Sequence, residues 1–151
     1  MQLANIILFD SLQHRSKKCV MGICCTIEYP KGSLRELKND KNKTVYKVRQ
    51  FVDYGYIDNT VGRDGDEIDV LIGPLTQFKD VFVIHMIDKG PDVDQREDED
   101  KCILGAQTAA IAKSLFLKHY PKSFYGGMTL LTITEFKKWI KVESARNAKM
   151  A

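Results

Sequence analysis

Charge of one sign, long apolar runs and patterned cysteine spacing are all scarce in this chain, and each scarcity removes a class of function. Its 23 basic and 20 acidic residues leave a net charge of only +3 over 151 residues. Such balance argues against a nucleic-acid groove and against a patch for anionic membranes. Aromatic residues do not alternate with basic ones in the stacking pattern of a single-strand binder, which argues further against a nucleic-acid partner. The charge is local instead, with basic residues crowding 31–49 and acidic ones 88–100. Residues 3–9 are apolar but far short of the roughly 20 residues a membrane helix needs, and they lack the basic start and small-residue cleavage site of a secretory leader. The expectation is a cytoplasmic protein with no membrane partner. Cys19, Cys24, Cys25 and Cys102 have no zinc-ligand spacing and are read as reduced core thiols. No internal repeat or low-complexity tract occurs.

With 44% hydrophobic residues, the chain has enough apolar side chain for one core and too little length for two comfortable ones. The reading is a single domain over 21–143, an amino-terminal extension over 1–20 and a carboxy-terminal tail over 144–151. Residues 20–29 read as a strand closed by Pro30 and a turn at Gly32 and Ser33, which puts Glu28 near a buried strand end. A polar loop over 36–43 follows, then period-two alternation over 44–52 that presents Lys47 and Arg49 on one face. Residues 53–63 are rich in turn formers, 67–72 read as a strand ended by Gly73-Pro74, and 81–87 as another strand.

Beyond an acidic loop over 88–100, a short apolar strand spans 102–104, and 107–120 has the spacing of a helix ended by Pro121. Thr132 and Glu135 have capping-box spacing, with Phe136, Trp139 and Ile140 on one helical face behind them. Strands first and helices last suggest an α+β fold built on a small barrel.

The chemistry concentrates in Asp64-Gly65-Asp66-Glu67-Ile68-Asp69, three aspartates within six residues at the opening of an apolar strand. Carboxylates forced close together either take up protons or share cations, and oxygen ligands without thiolate select Mg²⁺, Mn²⁺ or Ca²⁺. That points towards phosphate chemistry. Gly65 permits a sharp turn, and positions two apart in extended chain face the same way, so Asp64 and Asp66 can share a site. Asp69 joins them only where the chain bends. An EF-hand is excluded, because Ile68 and Asp69 stand where it needs an oxygen ligand and a glycine. The plainer alternative is a solvated Asp-Gly turn.

The run from Asp64 to Val70 resembles the signature of soluble family I inorganic pyrophosphatases, and Tyr54-Gly55-Tyr56-Ile57 is similar to the segment that precedes it there at the same spacing. Ile27-Glu28-x-Pro30 resembles the family's early strand with its metal-site glutamate. A compact pyrophosphatase-like subgroup borne by phages and mobile elements is similar over more of the chain. The likeness there lies in Pro30-x-Gly32-Ser33, Ile72-Gly73-Pro74, Lys101-x-x-Leu104-Gly105 and His119-Tyr120-Pro121. Together these motifs cover about residues 26–142.

The resemblance implies an OB-like β-barrel flanked by two or more helices and a Mg²⁺-dependent enzyme, with Mn²⁺ as a substitute, that hydrolyses pyrophosphate through a metal-activated water. Asp64, Asp66 and Asp69 would hold two of the ions, Asp66 would accept the water's proton, and Asp88 would be the fourth aspartate. Glu99 aligns as a further ligand by its offset from Lys101, with Asp98 and Asp100 as close competitors. Lys101 and Tyr120 resemble phosphate contacts and Tyr54 the hydroxyl near the nucleophile. Arg35 and either Lys47 or Arg49 are candidates for two further basic contacts. Pro121 stands where many cellular enzymes have a lysine, so Lys122 either takes over that contact or the contact is absent.

His14, His85 and His119 are scattered and read as structural. The rival readings are a hydrolase of a nucleotide or another phosphorylated metabolite, and a catalytically lapsed phage-encoded binding or structural module. The partner expectations that go with them are a homo-oligomer or a phage protein, in host cytoplasm or associated with the virion.

Overall fold

A computed structural model describes residues 15–38, 44–87 and 97–150. Among these, nine strands form a seven-stranded mixed sheet and a separate hairpin, accompanied by two α-helices. The large sheet takes β1 (Ser16–Val20), β2 (Ile23–Tyr29), β5 (Asp53–Ile57), β6 (Asp69–Ile72), β7 (Asp80–Ile87), β8 (Glu97–Leu104) and β9 (Tyr125–Thr132), in the spatial order β1-β2-β5-β6-β8-β7-β9. β3 (Leu34–Lys38) and β4 (Thr44–Arg49) make the hairpin, while α1 spans Ala109–Leu117 and α2 spans Ile133–Met150. β8 inserts between its two predecessors, parallel to β6 and antiparallel to β7.

Period-two alternation gives the central strands two apolar faces. Tyr54, Leu71, Phe82, Ile84 and Ile103 point to one side, where Ala112, Leu115 and Phe116 of α1 cover them. Val70, Ile72, Val83, Cys102 and Leu104 point to the other, where Phe136 of α2 is buried with Trp139 and Ile140 packed beside it. α2 starts as its sequence predicts, whereas α1 begins and ends inside the 107–120 expected for it. The Thr108 side chain accepts from the Ile111 amide at 3.2 Å. Thr132 and Glu135 exchange the reciprocal capping-box bonds, at 2.8 and 3.1 Å.

The α+β class is as expected, but the barrel is not met: among the described residues the sheet stays open, with β1 and β9 as unpaired edges. Val20 and Ile23 from one end share a core with Val81 and Val83 from the other, and Phe136 stands among them. The helix thus fills the place where a closing strand pair would lie, and the Met21 sulfur accepts from the Phe78 amide at 3.2 Å beside it.

Four local expectations also need correction. The strand foreseen over 20–29 is broken at Met21 and Gly22, both with positive φ, so that 16–20 form β1 instead of part of an extension. Residues 36–38 and acidic residues 97–100 are strand where loop was expected, and so is 53–57 within the turn-rich stretch. Neighbouring strands supply the pairing that their composition does not advertise. The segment 125–132 completes the sheet as β9.

Cys19 and Cys24, expected as reduced core thiols, are exposed and joined by a disulfide across the β1–β2 pair, where they stand directly opposite. Cys25, one residue on and therefore on the other face, is a buried free thiol, as is Cys102.

Candidate functional site

Strand insertion creates the site. In the register of β6 and β8, Asp69 stands beside Lys101, and antiparallel β5 sets Tyr56 opposite Asp69 and Tyr54 opposite Leu71. Residues two apart share a face, so Tyr54, Asp69, Glu99 and Lys101 converge. The Lys101 ammonium, almost wholly buried, donates to Asp69 Oδ2 at 2.6 Å, to Glu99 Oε2 at 3.1 Å and to the Tyr54 hydroxyl at 3.1 Å. All three of its protons are thereby engaged.

Above this floor lies an open cleft of about 460 Å³. Its walls bring in Glu28, Arg35, Asp64, Asp66 and Tyr120 from elsewhere in the chain, together with Tyr56 and Glu67. Glu28 arrives through a β-bulge: Ile27 pairs with Gly55 and Tyr29 with Tyr54, leaving Glu28 as the extra residue. Gly55 is needed at that crossing, because a Cβ there would stand 1.9 Å from the Thr26 carbonyl oxygen. Asp64 and Asp66 sit on an exposed turn with Gly65 at φ +90°. Within it the Asp66 amide donates to Asp64 Oδ1 at 3.0 Å and the Gly62 amide to the Asp66 carbonyl at 2.6 Å. The β3–β4 hairpin contributes Arg35, whose buried guanidinium lies 4.0 Å from the Tyr54 ring centroid and 5.1 Å from that of Tyr120.

Six carboxylates and two cations, Arg35 and Lys101, line this cleft. Glu99 is pushed up to about 7 by burial, which the nearby Lys101 opposes and the hydrogen-bonded Asp69 reinforces. Burial also raises Glu28, against the pull of Arg15, and raises Asp64 against its bond from the Asp66 amide. Asp69 goes the other way: burial would raise it, but the Lys101 charge and hydrogen bonds from Glu99, Lys101 and Tyr54 hold it below the ordinary carboxylate value. Lys101 stays firmly protonated, since its anionic and phenolic neighbours outweigh burial, and burial lifts the Tyr54 phenol well above its usual range. The Tyr120 hydroxyl is buried without a hydrogen-bond partner among the described residues.

Several expected residues are not gathered here. Across an antiparallel pair, opposite residues share a face. Arg35 opposes Val48, whereas Lys47 opposes Glu36 and Arg49 opposes Leu34, so both basic residues turn away from the cleft. Lys47 lies 3.5 Å from Glu36, and Arg49 donates to the Gly32 carbonyl at 2.8 Å. Lys122 is exposed on a short 3-10 turn and does not line the cleft. Asp88 lies outside the described residues. Of the competitors beside Lys101, Glu99 reaches the cleft; Asp100 turns to the other face, 2.9 Å from His85 Nδ1 and 3.7 Å from Arg63 Nε. The Asp98 side chain lies outside the described residues.

His119 is structural: its Nε2 accepts from the Phe51 amide at 3.0 Å, so its Nδ1 donates to the Leu115 carbonyl at 2.6 Å. Tyr56 and Glu67 escaped the sequence reading of the site, although both belong to the motifs on which it rested; their period-two relation to Tyr54 and Asp69 was the signal.

Among the described residues, no three His, Cys, Asp or Glu side chains converge on one metal-sized point. The donor set nonetheless suits a hard divalent cation: it is all oxygen, and burial holds three of its carboxylates above their ordinary pKa.

An α+β domain whose acidic cleft has a buried lysine at its base is the class these observations define. The family model described as inorganic pyrophosphatase matches residues 11–141, and the chain belongs to that family. It is similar to the inorganic pyrophosphatase of Halalkalibacterium halodurans, 34% identical over 54% of this chain and 56% of that protein. Proteins of the same name from Corynebacterium glutamicum and Geobacillus stearothermophilus are 42% identical over 34% of this chain and 38% of theirs, and 28% identical over 52% and 53%. The chain spans about half the length, or less, of these curated relatives. No helix among the described residues is long and apolar enough to cross a membrane.

Proposed function

We propose that this protein hydrolyses inorganic pyrophosphate to two phosphates with Mg²⁺, for which Mn²⁺ would substitute, in the cytoplasm. The observation that carries the reading is the fixed network of Tyr54, Asp69, Glu99 and Lys101 facing Asp64 and Asp66 across one cleft. Asp64, Asp66, Asp69 and Glu99 would hold the ions, with Glu28 at the cleft wall and Asp88 as a further ligand carried by the family resemblance. Bound there, Mg²⁺ would acidify a water and neutralise the substrate's charge.

The chain's own residues supply the rest. Asp66, exposed on its turn, accepts the proton of the attacking water. Lys101 and Arg35 offset the charge that develops on the leaving phosphate, and the Tyr120 hydroxyl has a free donor for a phosphate oxygen. Tyr54, which accepts from Lys101 at 3.1 Å, aims the ammonium. Lys47, Arg49 and Lys122 have no part in this arrangement.

Phosphate release from pyrophosphate with Mg²⁺, measured for wild type beside Asp66→Asn and with a nucleotide panel in parallel, tests the reading. Turnover of pyrophosphate that the substitution abolishes supports it. Turnover confined to a nucleotide keeps the chemistry and replaces the substrate. A folded, metal-binding protein with no turnover would be a binding module.

A further inference from the structure

The loop that carries Asp64 and Asp66 is exposed over 63–67, yet its stem is tied on two sides. On one side the Thr60 hydroxyl donates to the Ile57 carbonyl at 2.6 Å and accepts from the Ile68 amide at 3.0 Å, closing the base. On the other, the late turns of α2 take both backbone groups of Val61: its amide donates to Ser144 Oγ at 3.1 Å, and its carbonyl accepts from Asn147 Nδ2 at 2.9 Å. Ser144 and Asn147 are three apart and so lie on one helical face.

Glu143, buried on the same helix, accepts from Arg146 and lies 3.4 Å from Asn147 Nδ2, which orients the amide. Together with Trp139 it closes a cavity of about 10 Å³ shared with Gly62, Asp64 and Asp69. The adjoining Arg63–Asp100 pair, at 3.7 Å, is a longer contact at a half-exposed guanidinium. The family match stops at residue 141, so the clamp lies past it.

We infer that Ser144 and Asn147 are positioning residues, which set the height of the acidic turn over the cleft floor and thereby the affinity of the cleft for divalent cations. Without the clamp, the Gly62-to-Asp66 turn swings about Thr60 and Ile68 and its internal hydrogen bonds open more often. Asp64 and Asp66 then lose their fixed relation to Asp69 and Glu99. This inference rests on the metal-binding reading above, and its test separates the two.

In the full-length protein, Ser144→Ala combined with Asn147→Ala should weaken Mn²⁺ binding by about ten-fold in calorimetry, the lower end of what loss of an outer-shell partner costs. Amide exchange at Gly62, Gly65 and Asp66 of the metal-free protein should quicken as well. Val142→Ala, an exposed change on the same helix, should alter neither, and Ser144→Thr, which keeps the hydroxyl, should retain wild-type exchange at Val61. Wild-type Mn²⁺ affinity or unchanged exchange in the folded double variant would overturn the inference. Should the double variant not fold, Asn147→Ala alone carries both readouts. If wild type itself binds no Mn²⁺, the metal reading falls and exchange alone decides whether the clamp holds the turn.

Discussion

On the floor of the cleft, Asp69 and Glu99 stand 2.6 and 3.1 Å from a buried ammonium, on strands whose register sets them there. On its rim, Asp64 and Asp66 are exposed and owe their place to a turn that a remote helix ties down. The floor manages its charge by pairing and by a raised proton affinity at Glu99; on the rim burial raises Asp64 against its bond from the Asp66 amide. Stability and chemistry therefore divide between them. Substituting a floor side chain should cost folding energy, whereas substituting a rim carboxylate should cost activity alone.

The comparison breaks most sharply at Asp66. Asp66→Asn should lower pyrophosphate turnover by roughly 10²–10⁴-fold, the usual contribution of a general base. Its urea midpoint should correspond to a change within about 0.5 kcal/mol, as for other exposed sites. A large loss of stability would mean that rim and floor are one cooperative unit.

Lys101→Met should do the reverse. Removing one partner of a buried ionic cluster costs about 3–5 kcal/mol, and the metal-free variant should regain part of that loss at low pH, where Asp69 and Glu99 take up protons. Denaturation at pH 5 and pH 8 in the presence of a chelator checks both parts.

The pH dependence of the metal-free wild type sharpens the picture further. Glu99 is raised from 4.5 to about 7, so the folded state keeps a proton that the unfolded chain releases in that interval. Its contribution to stability is therefore present at the acid end and lost as pH rises from about 4.5 to about 7, by at most about 3 kcal/mol. Glu28 and Asp64, also raised, act in the same direction, while the lowered Asp69 costs stability only when pH falls into the acid range. Glu99→Gln should flatten the slope across pH 5–7. An unchanged slope would assign it to other groups.

Gly65→Ala should have the smallest effect, about 1–2 kcal/mol, for placing a Cβ at φ +90°. No atom lies within 4 Å of that Cβ, so the cost is conformational and should appear as weaker Mn²⁺ binding more than as misfolding.

Much of the site was legible because its residues sit in short linked motifs, from Tyr54 to Ile57 and from Asp64 to Val70, where spacing survives without knowledge of the fold. The capping box at Thr132 and the apolar face of Phe136, Trp139 and Ile140 were legible because helix geometry is local. Register is not local. Whether Arg35 or its neighbours reach the cleft depends on which residue of β4 opposes it, and a shift by one would exchange Arg35 for Leu34 and Glu36. Strand formation by 36–38 and 97–100 was hidden for a related reason, since their largely polar side chains favour extended chain only beside a partner strand.

By itself, then, the amino-acid sequence determined the family, the α+β class, the aspartate-rich turn and the capped start of α2. Each follows from residue type and short-range spacing. Tertiary structure alone decided that β8 inserts beside β6 to lay Lys101 against Asp69, that Cys19 meets Cys24, that the sheet stays open around α2, and that Asn147 reaches back to Val61. Those outcomes join residues between 5 and 86 positions apart, and their free energy exists only once the whole core has packed.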